Sequence, residues 1–282
     1  MQFKKCDTHV HTGYSLDIEE YTYFKFYFKP IGTPEEVYDA AKKEGMDFVT
    51  FTDHDTISSC LELIKKRGPL DDFFISEEVT INLPDPDIRL EINVFDIDKS
   101  QHKEIQSLRD DFQNLIEYLK KEKIIYSYNH PFWHPFGDYM INKKKVCEIA
   151  KNFNLIEVKN RGNLRHQNYS AERLAARLGL GRLGGTDTHT CSPGKTYTIA
   201  KCNNMAGFLK QLGKKKCAPE GEQISIKQIY AEANKVAKYS LKHRFYGVFG
   251  LPVINIPANI FVHIILNLAL GRYIKNQQSA KT

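Results

Sequence analysis

Short apolar runs alternate with amphipathic segments over the first two hundred residues, and this pattern most constrains the fold of the chain. Residues 47–52 have the composition of a strand, and the segment before them begins with a helix signal, Thr33-Pro34-Glu35-Glu36. The same reasoning predicts a helix over 105–123, strands over 124–128 and 155–158, and a helix over 169–178. Repeated strand–helix units predict an α/β protein, and 282 residues suit one barrel or a barrel with an appendage.

Polar side chains that can bind a metal ion stand directly after the predicted strands. His9 and His11 are two residues apart, so on extended backbone both imidazoles face the same ion. Such a pair is weak evidence alone, because histidines also occur as surface or core residues. Further candidates at or near strand ends are Asp17, His54, Glu78, His130, Asp187 and His189. In a parallel barrel the strand ends share one rim, and imidazole with carboxylate suits zinc, manganese or iron.

Five segments that contain these residues resemble, in order and spacing, the motifs of the PHP (polymerase and histidinol phosphatase) superfamily. The resemblance is to its small stand-alone phosphoesterases. The resemblance implies a distorted (β/α)7 TIM-like barrel with a two- or three-metal cluster and, usually, phosphoesterase activity. A sixth segment, Gly194 to Thr198, is similar to the segment after the last motif in small members. The motifs are Asp7-Thr8-His9-Val10-His11-Thr12, Thr52-Asp53-His54-Asp55-Thr56, Glu77-Glu78-Val79-Thr80, Asn129-His130-Pro131 and Gly185-Thr186-Asp187-Thr188-His189.

The resemblance also implies which residues bind the divalent cations, expected to be zinc, manganese or iron. The first ion would be held by His9, His11, Glu78 and Asp187, which are the expected catalytic residues; the second by Glu78 and His130; the third by Asp17, His54 and His189. Small members often carry a histidine in the strand after the glutamate motif, where this chain reads Glu91-Ile92-Asn93-Val94-Phe95. An amide is a poorer ligand than imidazole, so the second ion is expected to be weakly held unless His102 substitutes for Asn93.

A cluster of this kind implies hydrolysis without a covalent protein nucleophile, because the ions lower the pKa of a water that attacks phosphorus. Arg161, after the strand at 155–158, is the first candidate for the substrate phosphate, since guanidinium pairs bidentately with phosphate; a surface ion pair is the alternative. Arg165 and Lys195 are second candidates. Asp7, Asp53 and Asp55 are expected to orient the ligand imidazoles.

The predicted function is metal-dependent hydrolysis of a phosphate ester, either a small phosphomonoester or a nucleotide. Two alternatives stay open. The first is a phosphodiesterase or nuclease acting on DNA or RNA ends, although nucleic acid is the less favoured partner. The second is a non-catalytic metal-binding module. Oligonucleotide cleavage with steep salt dependence would favour the first alternative.

The C-terminal part of the chain differs from the rest in charge. Residues 201–282 carry 13 basic and three acidic residues, whereas the preceding residues have a net charge of −4. We expect the barrel to span residues 1–221 and a helical tail to span 222–282. The tail contains an uncharged run over 246–271, which Pro252 and Pro257 interrupt. Residues 225–275 are expected to contact the barrel or a second subunit, or else a membrane surface.

The cysteines indicate a reducing compartment. Six are scattered along the chain without a CxxC pair, which excludes a dense disulfide scaffold and a zinc ribbon. Charged and polar residues begin at Lys4, so the sequence start does not have the pattern of a signal peptide. We expect a cytoplasmic protein, and the tail is a candidate for attaching it to a membrane.

Overall fold

The computed structural model describes residues 1–15, 17–21, 24–28, 30–81, 83, 90–133 and 142–225, and seven positions beyond them: 227, 228, 231, 232, 234, 235 and 239. For 17–21 and 24–28 only the backbone is described. The predictions for the uncharged run at 246–271 and for most of the tail lie outside these residues.

The larger sheet has six strands in sequence order. They are β4 (Val49–Phe51), β5 (Phe73–Ile81), β6 (Leu90–Phe95), β7 (Ile125–Tyr128), β8 (Leu155–Asn160) and β9 (Gly181–Gly185). Most neighbouring strands are parallel, but β6 is antiparallel to both β5 and β7. The first residues of β6 therefore lie at the edge where β5 and β7 end. This corrects the expectation that strand C-termini alone meet at the functional rim.

Two smaller sheets accompany the six strands. One contains β1 (Gln2–Cys6), β10 (Thr196–Cys202) and β11 (Cys217–Gly221), and the other is a hairpin of β2 (Asp17–Tyr21) and β3 (Phe24–Phe28). A parallel bridge between Cys6 and Phe48 joins β1 to the start of the larger sheet. The α/β class is confirmed. The six strands of the larger sheet form a curled half-barrel, while β1 and β11 pair antiparallel with β10 in a separate sheet.

Seven helices are present in the described part of the chain. They are α1 (Pro34–Lys43), α2 (Ser58–Arg67), α3 (Lys99–Leu108), α4 (Phe112–Lys121), α5 (Lys143–Ala150), α6 (Arg165–Leu178) and α7 (Met205–Gly213). Thr33 and Glu36 form the predicted capping box of α1. The single helix predicted over 105–123 is wrong, because Asp111 begins a new helix by accepting a hydrogen bond from Asn114 N. None of these helices combines the length and hydropathy of a bilayer-crossing segment.

Helices cover one face of the larger sheet, and polar side chains line parts of the other. Ile105, Leu115, Leu119 and Leu174 from α3, α4 and α6 pack in a single buried core with apolar residues of β5 to β8. The alternation of strand side chains explains how one sheet serves both purposes. In β5, Val79 joins that core, while Ser76 and Glu78 occupy positions of the opposite parity. The site is consequently built on rigid, packed strands.

Gly185, the last residue of β9, permits a close approach between that strand and the segment after β1. A Cβ atom at position 185 would overlap the Cβ of His9 and lie 2.9 Å from its backbone nitrogen. We expect Gly185→Ala to lower the free energy of unfolding by about 1–3 kcal/mol, because a buried backbone must shift. Chemical denaturation measures this change.

Gly213→Ala is the matched control, since a Cβ there would meet no atom within 4 Å. Alanine at the end of α7 should leave stability unchanged or raise it slightly. Equal stability of Gly185→Ala and the unmodified protein would contradict the close packing of β9 against His9.

Candidate metal centre

Two histidines on extended backbone after β1 form the centre of the site. Val10 lies between them and bridges to Thr188, which fixes this segment beside the chain that follows β9. Both imidazoles are buried, and their Nε2 atoms lie only 3.2 Å apart. His11 Nδ1 lies 3.1 Å from Ser15 Oγ. The Nε2 atoms of His9 and His11 therefore converge on one place in the interior.

Two carboxylates meet the histidines at that place. Glu78 Oε2 lies 3.1 Å from His9 Nε2 and 3.3 Å from His11 Nε2. Asp187 Oδ1 lies 3.1 Å from His11 Nε2 and 3.5 Å from His9 Nε2. The four residues expected to hold the first ion thus have their ligand atoms within a few ångströms of one another.

Glu78 extends the cluster toward the other strand ends. Its Oε1 lies 3.3 Å from His130 Nε2, and its Oε2 lies 3.4 Å from His54 Nδ1. A second buried carboxylate, Glu91, lies 3.6 Å from His130 Nε2 and 3.8 Å from His54 Nδ1. Asn129 Nδ2 donates to Glu78 Oε1 over 2.7 Å, which fixes the orientation of the carboxylate.

His189 forms a group of three imidazoles with His11 and His54. The ring centroids of His54 and His189 lie 4.7 Å and 4.6 Å from that of His11. Nitrogen atoms of the three rings lie within 4.8 Å of one another. His189 Nδ1 also lies 3.0 Å from the backbone oxygen of Asp187. His54 and His189 are less buried than the first pair, so this side of the cluster is nearer to solvent.

The electrostatics show how strongly the cluster depends on charge pairing. Burial lowers the pKa of His11, but hydrogen bonds with Asp187 and Glu78 outweigh this effect and raise it to about 9. Burial raises the pKa of Glu78, yet the neighbouring His9 and His54 hold it well below its ordinary value. The pKa of Asp187 is also held well below its ordinary value, against the effect of burial. The carboxylates are ionised and require positive charge beside them.

Two of the clustered residues have unusual backbone conformations. His130 has φ 23° and Asp187 has φ 50°, both in the left-handed region that side-chain-bearing residues seldom adopt. Backbone strain of this kind persists only where the surroundings impose it, and it concentrates at functional sites. Five other described residues with side chains, among them Lys123 and Lys215, also have positive φ, so the conformation does not by itself mark the site.

Glu157 on β8 supports the cluster from beneath. Its Oε1 lies 3.1 Å from His9 Nδ1, so the Nε2 of that ring faces the cluster. Its Oε2 accepts hydrogen bonds from His130 N at 3.1 Å and Asn160 Nδ2 at 3.0 Å. Asn160 Nδ2 lies 3.0 Å from Asp187 Oδ2 as well. One buried carboxylate thereby connects the positions of His9, His130 and Asp187.

The aspartates that were expected to orient imidazoles have a different role. Asp7 accepts hydrogen bonds from the backbone nitrogens of His9, Thr186 and Gly194, and Asp53 accepts from Thr12 N and from the hydroxyls of Thr12 and Ser59. Asp55 accepts from Thr80 N and pairs with Arg109. These carboxylates fix the loops that carry the histidines, because buried backbone N–H groups there lack strand partners.

The remaining candidates are Arg161, Arg165, Lys195 and Asp17. Arg161 is buried at the end of β8, and its Nη1 pairs with Glu232 Oε1 at 2.7 Å. Arg165 is exposed at the start of α6, and Lys195 pairs with Glu44 at 2.8 Å. Asp17 begins β2, and the prediction that its carboxylate binds metal lies outside the described side chains.

The two residues considered beside Glu78 and His130 for the second ion differ in their contacts. Asn93 Nδ2 donates to the backbone oxygen of Thr8 over 3.0 Å, whereas its Oδ1 is buried without a hydrogen-bond partner among the described residues. His102 Nδ1 lies 2.8 Å from Glu77 Oε2, on the helix-covered side of β5. Glu91 is the residue that sequence reasoning missed, and the missing signal was strand direction. Had β6 been assigned as antiparallel, its second residue rather than its fourth would have been placed at the rim.

The donor set fits divalent cations. Four overlapping groups have ligand atoms within 4.8 Å of one another: His9 with His11 and Glu78; His9 with His130 and Asp187; Glu78 with Glu91 and His130; and His11 with His54 and His189. Imidazole nitrogen and carboxylate oxygen are the ligands of zinc, manganese and iron in proteins. Several buried carboxylates among imidazoles are costly without cations, so the residues present suit bound divalent cations.

Solved structures share the fold of this chain. A two-domain protein from Bacteroides vulgatus, containing a predicted PHP-like metal-dependent phosphoesterase, superposes with a TM-score of 0.56 at 17% identity; the match covers 84% of this chain and 70% of that one. PsfC from Pseudomonas syringae matches with a TM-score of 0.57 at 16% identity, covering 85% and 98%. No family model and no curated protein matches the chain. The resemblance to PHP proteins is confirmed at the level of the fold.

Glu157 provides a test of the support beneath the cluster. Glu157→Gln keeps the shape of the side chain but removes the negative charge beside His9 Nδ1. We expect the affinity of the apoprotein for Zn²⁺, measured by calorimetry, to fall about 10- to 100-fold. Glu172→Gln is the control, because Glu172 is exposed and pairs with Arg182 rather than with a residue of the cluster. Equal Zn²⁺ affinities of Glu157→Gln and the unmodified protein would exclude a supporting role.

Proposed function

We propose that the chain is a PHP-type metal-dependent hydrolase, with a (β/α)7 TIM-like barrel, that cleaves phosphate esters. The single observation that carries the proposal is the position of Glu78. Its two carboxylate oxygens lie within 3.1–3.4 Å of nitrogens of His9, His11, His54 and His130. A buried carboxylate among four imidazoles is suited to bridging two cations.

The chain's residues divide the work of holding the cations. His9, His11, Glu78 and Asp187 would hold the first, and Glu78 with His130 and Glu91 the second. His54 and His189 would hold a third, together with His11 or with the predicted ligand Asp17. When bound, such ions lower the pKa of water and neutralise charge on phosphoryl oxygens. Glu157 and Asn129 hold the ligand side chains in place, and the buried strands exclude bulk solvent from the inner side.

Arg161 is the residue we assign to the substrate phosphate. It follows Asn160, whose amide contacts Asp187, so its backbone lies directly beside the cluster. Its guanidinium is buried, and its Nε has no hydrogen-bond partner among the described residues. A phosphate could accept from Nε and Nη together. Glu232 pairs with Nη1 and is the carboxylate that the phosphate would displace. Arg165 and Lys195 remain secondary candidates.

The proposal extends to substrate and location as the sequence predicted them. We favour a small phosphomonoester or nucleotide over nucleic acid ends, and a cytoplasmic protein, since the six cysteines are free thiols. The same proposal includes a barrel over residues 1–221 and a tail over 222–282. It also includes a contact of residues 225–275 with the barrel, a second subunit or a membrane surface.

Metal removal and one substitution test the hydrolase assignment together. Chelation should abolish hydrolysis of p-nitrophenyl phosphate or its bis ester, and Mn²⁺ or Zn²⁺ should restore it. His11→Ala should lower kcat/KM at least about 100-fold, because it removes a ligand from two overlapping groups.

His102→Ala is the control for this experiment, because His102 pairs with Glu77 away from the cluster. It should keep activity within about twofold of the unmodified protein. Absence of bound metal and of turnover on both esters would favour the non-catalytic module, and turnover of the bis ester alone would favour the phosphodiesterase alternative.

Glu232 offers a test of the role of Arg161. Glu232→Gln removes the anion that competes with phosphate for the guanidinium, so KM for the ester should fall about fivefold with kcat little changed. Steady-state kinetics and inhibition by inorganic phosphate measure this. Glu222→Gln, on an exposed glutamate ten positions earlier in the chain, should have no effect. A rise in KM for Glu232→Gln would instead show that Glu232 holds Arg161 in position.

A further inference from the structure

Glu91 owes its place in the cluster to the direction of β6. The strand runs antiparallel to β7, and the backbone oxygen of Glu91 accepts a hydrogen bond from Asn129 N at 3.0 Å. This bond fixes Glu91 beside the Asn129–His130 segment. Glu91 is 2% exposed, so its carboxylate is removed from water. A carboxylate buried in this way requires positively charged or hydrogen-bonding neighbours.

The neighbours of Glu91 are residues of the metal cluster. Its Oε2 lies 3.6 Å from His130 Nε2, and its Oε1 lies 3.8 Å from His54 Nδ1. Ligand atoms of Glu78, Glu91 and His130 lie within 4.8 Å of one another. These separations exceed direct hydrogen bonds and leave the space that an ion between the side chains would occupy.

Two other side chains of this region were candidates for that ion. Asn93 lies opposite Glu78 in the sheet; its amide nitrogen donates to Thr8 O, and its Oδ1 is buried without a hydrogen-bond partner among the described residues. His102 is engaged by Glu77. Glu91 is the carboxylate of β6 whose ligand atom lies within 4.8 Å of those of Glu78 and His130, and a carboxylate is a stronger ligand for a dication than a neutral amide.

The ligand types differ between the two ends of the cluster. Glu78, Glu91 and His130 offer two carboxylates and one imidazole, whereas His11, His54 and His189 offer three imidazoles. Oxygen-rich anionic sites suit hard ions such as Mn²⁺, and nitrogen-rich sites suit Zn²⁺.

We propose that Glu91 makes the Glu78–Glu91–His130 end a manganese-preferring position, so that the cluster holds two kinds of ion. The inference rests on the proposed function, since it assumes that the cluster binds metal. Zinc binds most nitrogen and oxygen sites more tightly than manganese, so the proposal requires the two carboxylates to reverse that order at one end of the cluster only.

Metal content and electron paramagnetic resonance of bound Mn²⁺ test the proposal without reference to activity. Apoprotein is incubated with equal amounts of Mn²⁺ and Zn²⁺ and freed of unbound ions. The unmodified protein should retain both metals. Glu91→His places an imidazole at the second-ion position, and its bound Mn²⁺ to Zn²⁺ ratio should fall about tenfold or more.

Two further variants keep the experiment decisive. Glu77→Gln is the matched control, because Glu77 is an equally buried glutamate on the neighbouring strand that pairs with His102 instead; its metal ratio should stay within about twofold. Glu91→Gln, nearly identical in shape, should lose bound Mn²⁺ without gaining Zn²⁺, and covers the case in which the histidine variant fails to fold.

The outcomes separate this inference from the proposed function. An unchanged metal ratio in folded Glu91→His or Glu91→Gln would overturn the role of Glu91 and leave the hydrolase proposal standing. Retention of Zn²⁺ alone by the unmodified protein would do the same. Retention of neither metal would overturn both.

Discussion

Burial of negative charge is the constraint on which the site depends. Glu78 and Glu91 are almost completely removed from water, and Asp187 joins them at the same place. Taking carboxylates out of water costs several kcal/mol each unless positive charge replaces the lost hydration. Here imidazoles supply that charge in the protonated state, and divalent cations would supply it with the imidazoles neutral. The fold tolerates the arrangement because the opposite face of the sheet is a packed apolar core.

The histidines are positioned by carboxylates that lie outside the groups of metal-ligand atoms. Asp7 and Asp53 tie down backbone nitrogens, and Glu157 fixes one imidazole and the backbone of another. Close contact at Gly185 leaves the segment after β1 little freedom to move. A site held in this way is prepared before any ligand arrives, which is the property that electrostatic catalysis requires.

The α/β class and the positions of most site residues could be predicted from the sequence, because those residues follow strands that end at the rim. His9 and His11 could be placed together from their spacing alone. Glu91 could not, because strand direction depends on long-range pairing that local patterns do not encode. The break between α3 and α4 was missed for a different reason: Asp111 is one residue within a continuous amphipathic pattern, and its capping role is visible only in three dimensions.

The ion pair between Arg161 and Glu232 has a consequence for where one structural unit ends and the next begins. Composition suggested a division after residue 221, yet a guanidinium on the near side of that line has its carboxylate partner on the far side. A fragment that stopped at the division would leave a nearly dehydrated cation uncompensated. The unit that unfolds cooperatively should therefore extend beyond residue 221 to include Glu232. If evolution separated the two parts into independent domains, Arg161 would have to be replaced as well.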